Sequence, residues 1–213
     1  LPKVGAISAH SLEAIIALKP DLVVVWGSLG SGSVLVQLEA LGITAYVSDP
    51  HTLADVPRSL RDYGVLAGTQ QKAFKAASHF ENTLALLADR YSQKKPVSVL
   101  YQVWHQPLQT LNDQHIISDV IRTCGGRNSF GDSPTLAPKI SVESVIARNP
   151  DVIIASGITG KKFDSLAHWL AWPTIKAVNQ NHLFFVPPDI IQRHTVRILQ
   201  GAQLMCEHLD RAR

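Results

Sequence analysis

Residues 11–27 of this chain read SLEAIIALKPDLVVVWG, and residues 141–157 read SVESVIARNPDVIIASG. The same segment occurs twice, 130 residues apart, with seven identities: Ser11/Ser141, Glu13/Glu143, Ile16/Ile146, Ala17/Ala147, Pro20/Pro150, Asp21/Asp151 and Gly27/Gly157. Most positions between them keep their apolar or polar character. Two copies in register point to a molecule of two like-built lobes. Each copy has a physical reading. A serine N-cap opens a short helix with an acid in its first turn, where the helix dipole favours negative charge. The helix ends at Pro-Asp, because the residue before a proline is pushed out of the helical region. A run of mostly β-branched residues follows, too continuous for a half-exposed strand and suited to a buried parallel one. The strand stops at glycine, leaving an open strand end at Trp26-Gly27 in one copy and at Ser156-Gly157 in the other.

A repeat this long excludes a solenoid, and 213 residues suffice for one large domain or two modest ones. Hydrophobic residues make up 46% of the chain and charged residues 17%, which excludes a disordered polymer. No apolar run approaches the roughly 20 residues of a membrane span. The net charge of +3 is mild, and the longest basic runs, Lys94-Lys95 and Lys161-Lys162, are too short to suggest nucleic acid. Cys124 and Cys206 leave two readings open. They are buried thiols of a cytosolic protein, or they form a bridge that requires an oxidising compartment. Such a bridge would close a loop of about 83 residues, worth roughly 4.5 kcal/mol in the chain-entropy model.

Along the chain, a glycine-serine loop (Gly27 to Gly32) leads to a helical stretch at 34–41, a short strand at 44–47 and a helix at 52–63. Over 69–94, Phe74, Ala77, Phe80, Leu84, Leu87 and Tyr91 recur at helical spacing with no glycine or proline. That predicts one helix of about 25 residues and roughly 38 Å, long enough to run along both lobes. A second series follows: the strand VSVLYQVW at 97–104, a helix at 116–124, a Cys-Gly-Gly turn and the second copy of the repeat. A helix at 163–170, a strand at 183–186 and a closing helix at 195–209 complete it. Strands alternate with helices throughout, so the fold class is α/β, with two Rossmann-like lobes of parallel sheet joined by one long helix. The expected division is 1–66 for the N-terminal lobe, 67–95 for the interlobe helix and 96–213 for the C-terminal lobe. A single helical bridge implies lobes that move little relative to each other.

The candidates for chemistry are few. Gly27-Ser-Leu-Gly-Ser-Gly32 lies between a strand and a helix, but its G-x-x-G-x-G spacing departs from the dinucleotide fingerprint. The nine histidines show no H-x-x-x-H or H-E-x-x-H arrangement, although scattered histidines could converge to capture zinc or manganese. No G-x-S-x-G elbow is present, so no catalytic residue and no metal ligand is nominated. Glu13 and Glu143 either neutralise helix N-termini, worth about 0.3–1 kcal/mol, or form a pseudo-twofold pair of negative knobs. Their equivalence in the two copies favours knobs that match basic sockets on a homodimeric partner. Trp26 and Trp104 fall at or just after strand carboxyl ends, one per lobe, where ligands of open α/β sheets bind. Half-buried caps and ligand platforms are both possible readings, and placement at one interlobe cleft favours platforms. Arg193, in PPDIIQRHT before the last helix, could reach an acidic or amide group of a ligand. Trp169 and Trp172 belong to the core.

The duplicated E-x-x-I-A-x-x-P-D segment, the long middle helix, CGGRNSF at Cys124 and R-x-x-x-R-I-L-x-G-A from Arg193 resemble the class III periplasmic substrate-binding proteins. Within that class, the chain is most similar to the cobalamin-binding components of bacterial ABC importers. The resemblance runs from about Val4 to Leu209. It implies a disulfide between Cys124 and Cys206. It also implies that Glu13 and Glu143 dock on arginines of a membrane permease dimer, and that Trp26 and Arg193 contact ligand. YQVWHQPLQTLNDQH resembles proteobacterial cobalamin binders, where a tryptophan matching Trp104 is typical. His105 and Gln109 complete the implied ligand-binding set, Gln109 standing where the family has a cleft phenylalanine. The family's cleft tryptophans, six residues before each docking glutamate, are Ile7 and Ala137 here. The implied function is capture of cobalamin or a related corrinoid in the interlobe cleft and delivery to an ABC importer. The implied protein is a periplasmic monomer with no enzymatic activity, no resident cofactor and no nucleic-acid partner. The alternatives are a haem or ferric-siderophore binder on the same scaffold, or a nucleotide-binding α/β enzyme with free thiols. Family members carry a further βαβ stretch before the position of Leu1, so the N-terminal lobe is expected to be incomplete.

Overall fold

The computed structural model describes residues 2–6, 9–27, 32–157 and 164–213. Ile7, Lys161, Lys162, Phe163 and positions 28–31 of the glycine-serine loop lie outside the described residues. The chain divides into two units, Leu1–Asp49 and Pro50–Arg213.

The first unit opens with strands β1 (Gly5–Ala6) and β2 (Ala9–His10), which pair antiparallel. Helix α1 (Leu12–Ala17) carries the first copy of the repeat, and strand β3 (Val23–Trp26) follows it. Helix α2 (Gly32–Ala40) crosses over to strand β4 (Ala45–Ser48), which pairs with β3 in parallel, Val23 against Ala45 through Trp26 against Ser48. Leu38 of α2 is fully buried and anchors the helix. The expectation of a buried strand fails here. Val24 is 50% exposed, because β3 has β4 as its only hydrogen-bonded neighbour among the described residues.

The second unit begins with a helical hairpin, α3 (Asp55–Leu66) and α4 (Gln70–Tyr91). At Gly64 the two helices approach closely, since a Cβ there would lie 2.3 Å from Cβ of Ala73. At 22 residues, α4 is roughly 33 Å long. It buries Ala77, Phe80 and Tyr91 as the spacing predicts. Phe74 departs from that stripe: it is 48% exposed, under the guanidinium of Arg61, which also pairs with Glu81 at 2.7 Å.

Strand β5 (Val97–Gln102) runs into a short hairpin, β6 (Trp104–His105) and β7 (Leu108–Gln109), so the expected eight-residue strand is interrupted before Trp104. Helix α5 (Ile116–Thr123), strand β8 (Gly126–Asn128), helix α6 (Val142–Arg148) and strand β9 (Val152–Ala155) come next. Helix α7 (Asp164–Ala167), a 3-10 turn (His168–Ala171), helix α8 (Lys176–Asn179) and strand β10 (Leu183–Phe185) follow. Helices α9 (Pro188–Ile191) and α10 (Ile198–Arg211) close the chain.

The four strands form one parallel sheet in the order β10-β9-β5-β8. Val97, Val99 and Tyr101 of β5, with Val152 and Ile154 of β9, face a core shared with α4, α5 and α10. Leu100 and Ile153 face the opposite core, with Val145 of α6 and Trp169. Both faces are covered, which explains the continuous apolar runs. A disulfide joins Cys124, at the end of α5, to Cys206 of α10, with an S–S distance of 2.07 Å. The free-thiol reading is thereby excluded.

Candidate functional site

The two copies of the repeat build the same local structure. Ser11 Oγ accepts from the backbone N–H of Ala14 at 3.1 Å, and Ser141 Oγ accepts from that of Ser144 at 3.2 Å. The residue before each proline, Lys19 or Asn149, turns into the left-handed region at φ 47° or 43°. Glu13 and Glu143 sit exposed in the first turns of α1 and α6. In each case the glutamate's own backbone N–H, then the serine hydroxyl, holds the carboxyl below its ordinary value. Both carboxylates are therefore ionised at neutral pH.

In the first unit Trp26 ends β3 and is half-buried. Gly27 follows against Asp49, whose Oδ2 would be 2.6 Å from any added Cβ, so only glycine fits this strand end.

In the second unit the carboxyl edge of the sheet carries two hydrogen-bonded amides, Gln102 buried and Gln192 exposed. Gln102, the last residue of β5, accepts through Oε1 from Trp169 Nε1 at 2.7 Å, which pins the 3-10 turn. Gln192 donates through Nε2 to the carbonyl of Ser156 at 3.0 Å, which pins the loop carrying Arg193 and His194. Neither Gln102 nor Trp169 is left unmatched, so their burial costs little. The β6–β7 hairpin extends from the same edge. Trp104 is 45% exposed and donates through Nε1 to the carbonyl of Gln106 at 2.9 Å. Its cross-strand neighbour Gln109 donates to the carbonyl of Ala137 at 3.3 Å. His105 lies one residue on, with its ring centroid 4.7 Å from that of His168. The His168 ring is in turn 4.7 Å from Trp169. Nδ1 of His105 is buried without a hydrogen-bond partner.

Thus Trp104, His105 and Gln109 share one hairpin, where the sequence reading had expected Trp104 to end a continuous strand. Arg193 is on the separate loop after α9, paired with Asp189 at 2.7 Å on the surface. An exposed pair of this kind contributes about 0–1 kcal/mol, weak enough to be exchanged for a ligand group. Sequence reasoning missed His168, Gln102, Ser156 and Gln192. The one available pointer was the position of Gln102 and Ser156 at strand ends. Trp169 is core, as expected, while Trp172 packs beside it only partly buried.

A second histidine group lies at the start of α5. His115 Nδ1 accepts from the backbone N–H of Ile117 at 3.2 Å, and its ring meets that of His194 edge-on at 5.4 Å. Nδ1 of His194 is 3.1 Å from the carbonyl of Pro50. Among the described residues, no group of three or more His, Cys, Asp or Glu is placed to hold a metal ion. No described helix is long and apolar enough to cross a membrane.

A family model described as periplasmic binding protein matches residues 1–190. A vitamin B12-binding protein of Vibrio campbellii is 32% identical over 214 residues, covering all of this chain and 77% of its own. The crystal structure of the periplasmic vitamin B12 binding protein of Vibrio cholerae superposes with a TM-score of 0.91 at 30% identity, over the whole chain and 82% of that one. A periplasmic haem-binding protein holding two haems superposes with a TM-score of 0.84 at 20% identity, over the whole chain and 83% of that one, a likeness of fold alone. A parallel α/β sheet with its polar and aromatic groups gathered at the carboxyl edge, a duplicated helix-turn-strand unit and these relatives agree: the chain belongs to the periplasmic binding protein family.

Proposed function

We propose that the protein is a periplasmic carrier that binds cobalamin or a related corrinoid and delivers it to an ABC importer, working by binding and not by catalysis. The observation that carries this reading is its similarity, along its full length, to proteins named for vitamin B12 binding, in sequence and in structure. The Cys124–Cys206 disulfide supports an oxidising compartment such as the periplasm. Trp26 and Trp104 are the aromatic candidates for stacking on the macrocycle. Arg193, released from Asp189, and Gln109 would meet the amides of the corrin rim, and His105 would complete the set. Glu13 and Glu143 would orient a monomeric carrier on the permease dimer.

Calorimetric titration with cyanocobalamin, with haemin as competitor, tests the reading. The expected result is saturable one-to-one binding of the corrinoid that haemin does not displace. Saturable binding of haemin with no heat from cyanocobalamin would overturn it in favour of haem capture.

A further inference from the structure

Arg193 combines a lightly held side chain with a firmly held backbone. It is exposed, and its guanidinium pairs at 2.7 Å with Asp189, which is exposed as well. Such a pair exchanges readily with water or with a ligand. The residues on either side are fixed by side-chain bonds to two different segments of the second unit. Gln192 donates through Nε2 to the carbonyl of Ser156 at 3.0 Å and lies 3.3 Å from its hydroxyl, just past the carboxyl end of β9. His194 meets the carbonyl of Pro50 through Nδ1 at 3.1 Å. A carbonyl oxygen only accepts, so this ring nitrogen carries the proton. The His194 ring also rests edge-on against His115 at 5.4 Å. Backbone bonds complete the frame: the N–H of Gln192 donates to Pro188 at 2.9 Å, and that of Thr195 to the carbonyl of Arg193 at 2.7 Å. Surface loops are ordinarily the mobile parts of a fold. Here the loop is anchored on both flanks of one arginine, beside the strand end where ligands of open α/β sheets bind. Anchoring of this kind removes the ordering cost that an arginine on a mobile loop would meet on binding.

Resting on the corrinoid reading above, we propose that Gln192 and His194 are positioning residues: they fix the loop on both sides of Arg193, so that its guanidinium reaches an amide oxygen of the bound corrinoid from a frame already in place. Neither needs to touch the ligand, and both act through Arg193. The guanidinium has donors only and an amide oxygen accepts, so the bond to Asp189 is exchanged for one to the ligand without any proton moving.

The experiment is a double-mutant cycle on the full chain, read by calorimetric titration with cyanocobalamin. Arg193→Ala is expected to weaken binding on the order of tenfold. Gln192→Met, which keeps the length and removes the donor, should weaken it about three- to tenfold. Added to Arg193→Ala, Gln192→Met should cost nothing further. His194→Leu should behave as Gln192→Met does, while His194→Asn, whose amide keeps a donor towards Pro50, should hold most of the affinity. A loop that merely belongs to the fold would give equal losses with and without Arg193, and that result would overturn the proposal while leaving corrinoid capture standing. Full affinity in Arg193→Ala, or in both Gln192→Met and His194→Leu, would overturn it as well. Circular dichroism identifies a variant that fails to fold, and the cycle on the other flanking residue then decides. Failure of the wild-type chain to bind cyanocobalamin would overturn the transport reading and this proposal with it.

Discussion

His115 occupies the N-cap of α5, where Ser, Thr, Asp or Asn is usual. It can cap only while Nδ1 is unprotonated, because that nitrogen accepts from Ile117. Burial disfavours the imidazolium most, the neighbouring His194 and His51 add repulsion, and together they push the ring from 6.5 down to about 4. The sign follows directly. The unfolded chain takes up this proton near pH 6.5 and the folded protein only near 4, so the stability is whole above 6.5 and is lost as pH falls towards 4. The loss is roughly 3 kcal/mol. Asp55 and Asp151 also have lowered values, but from an ordinary 3.8, so their losses come mostly at lower pH. His115→Asn keeps a capping oxygen and removes the titration. Its melting temperature should fall less than that of the wild type between pH 6.5 and 4, and parallel curves would exclude His115 as the cause. None of this was legible in the sequence, because histidine is not a capping type and the cap exists only once the loop places the ring. His168 was hidden for the same reason: its stack on His105 joins segments 63 residues apart. Trp104, His105 and Gln109 could be nominated together from the sequence, being close along the chain and part of a recognisable stretch.

The repeated helix-turn-strand unit was the most readable element, since its capping serine, pre-proline turn and apolar strand are all local chemistry. Both copies fold alike up to the strand and then diverge. β9 lies between β5 and β10 and is buried throughout, whereas β3 pairs with β4 alone among the described residues and leaves Val24 exposed. The same apolar pattern thus meets two environments, and burial depends on neighbours that the segment does not encode. The pairs β1–β2 and β6–β7 escaped notice because strands of two residues contain no period. Two predictions belong at this scale. Ser141→Ala removes the acceptor for Ser144 N–H and should cost about 1 kcal/mol of unfolding free energy, read from urea curves. The proposed docking role predicts that Glu13→Arg together with Glu143→Arg abolishes uptake of corrinoid by the importer while ligand affinity stays intact. Uptake that survives the double reversal would remove the knobs from the mechanism.

At the scale of the whole chain, one covalent bond crosses a long loop. Cys124 and Cys206 are 82 positions apart, and the bond ties the end of α5 to α10, two helices that cover the same face of the parallel sheet. Gly125 makes this corner possible: it sits at φ 70°, and a Cβ there would lie 2.4 Å from the carbonyl of Tyr91 at the end of α4. Arg213 closes the corner from outside, donating to the carbonyls of Cys124 and Lys95. The Cys-Gly-Gly turn was readable as a turn, but two lone cysteines were open to either reading until the helices were seen to meet. Because the native packing between α5 and α10 is already made by Val120, Ile121, Met205 and Leu209, the bond adds little to the folded state and acts mainly on the unfolded chain. Cys124→Ala with Cys206→Ala should therefore lower the unfolding free energy by up to about 4.5 kcal/mol, seen as a lower urea midpoint and not as a changed fold. Far-ultraviolet circular dichroism should be the same for both proteins in the absence of denaturant, and the urea slope should shrink or stay equal in the oxidised form, whose unfolded state is the more compact. A double variant as stable as the oxidised protein would mean that the unfolded chain already holds α5 and α10 together, and the stabilisation would then have to be sought in the apolar contacts alone.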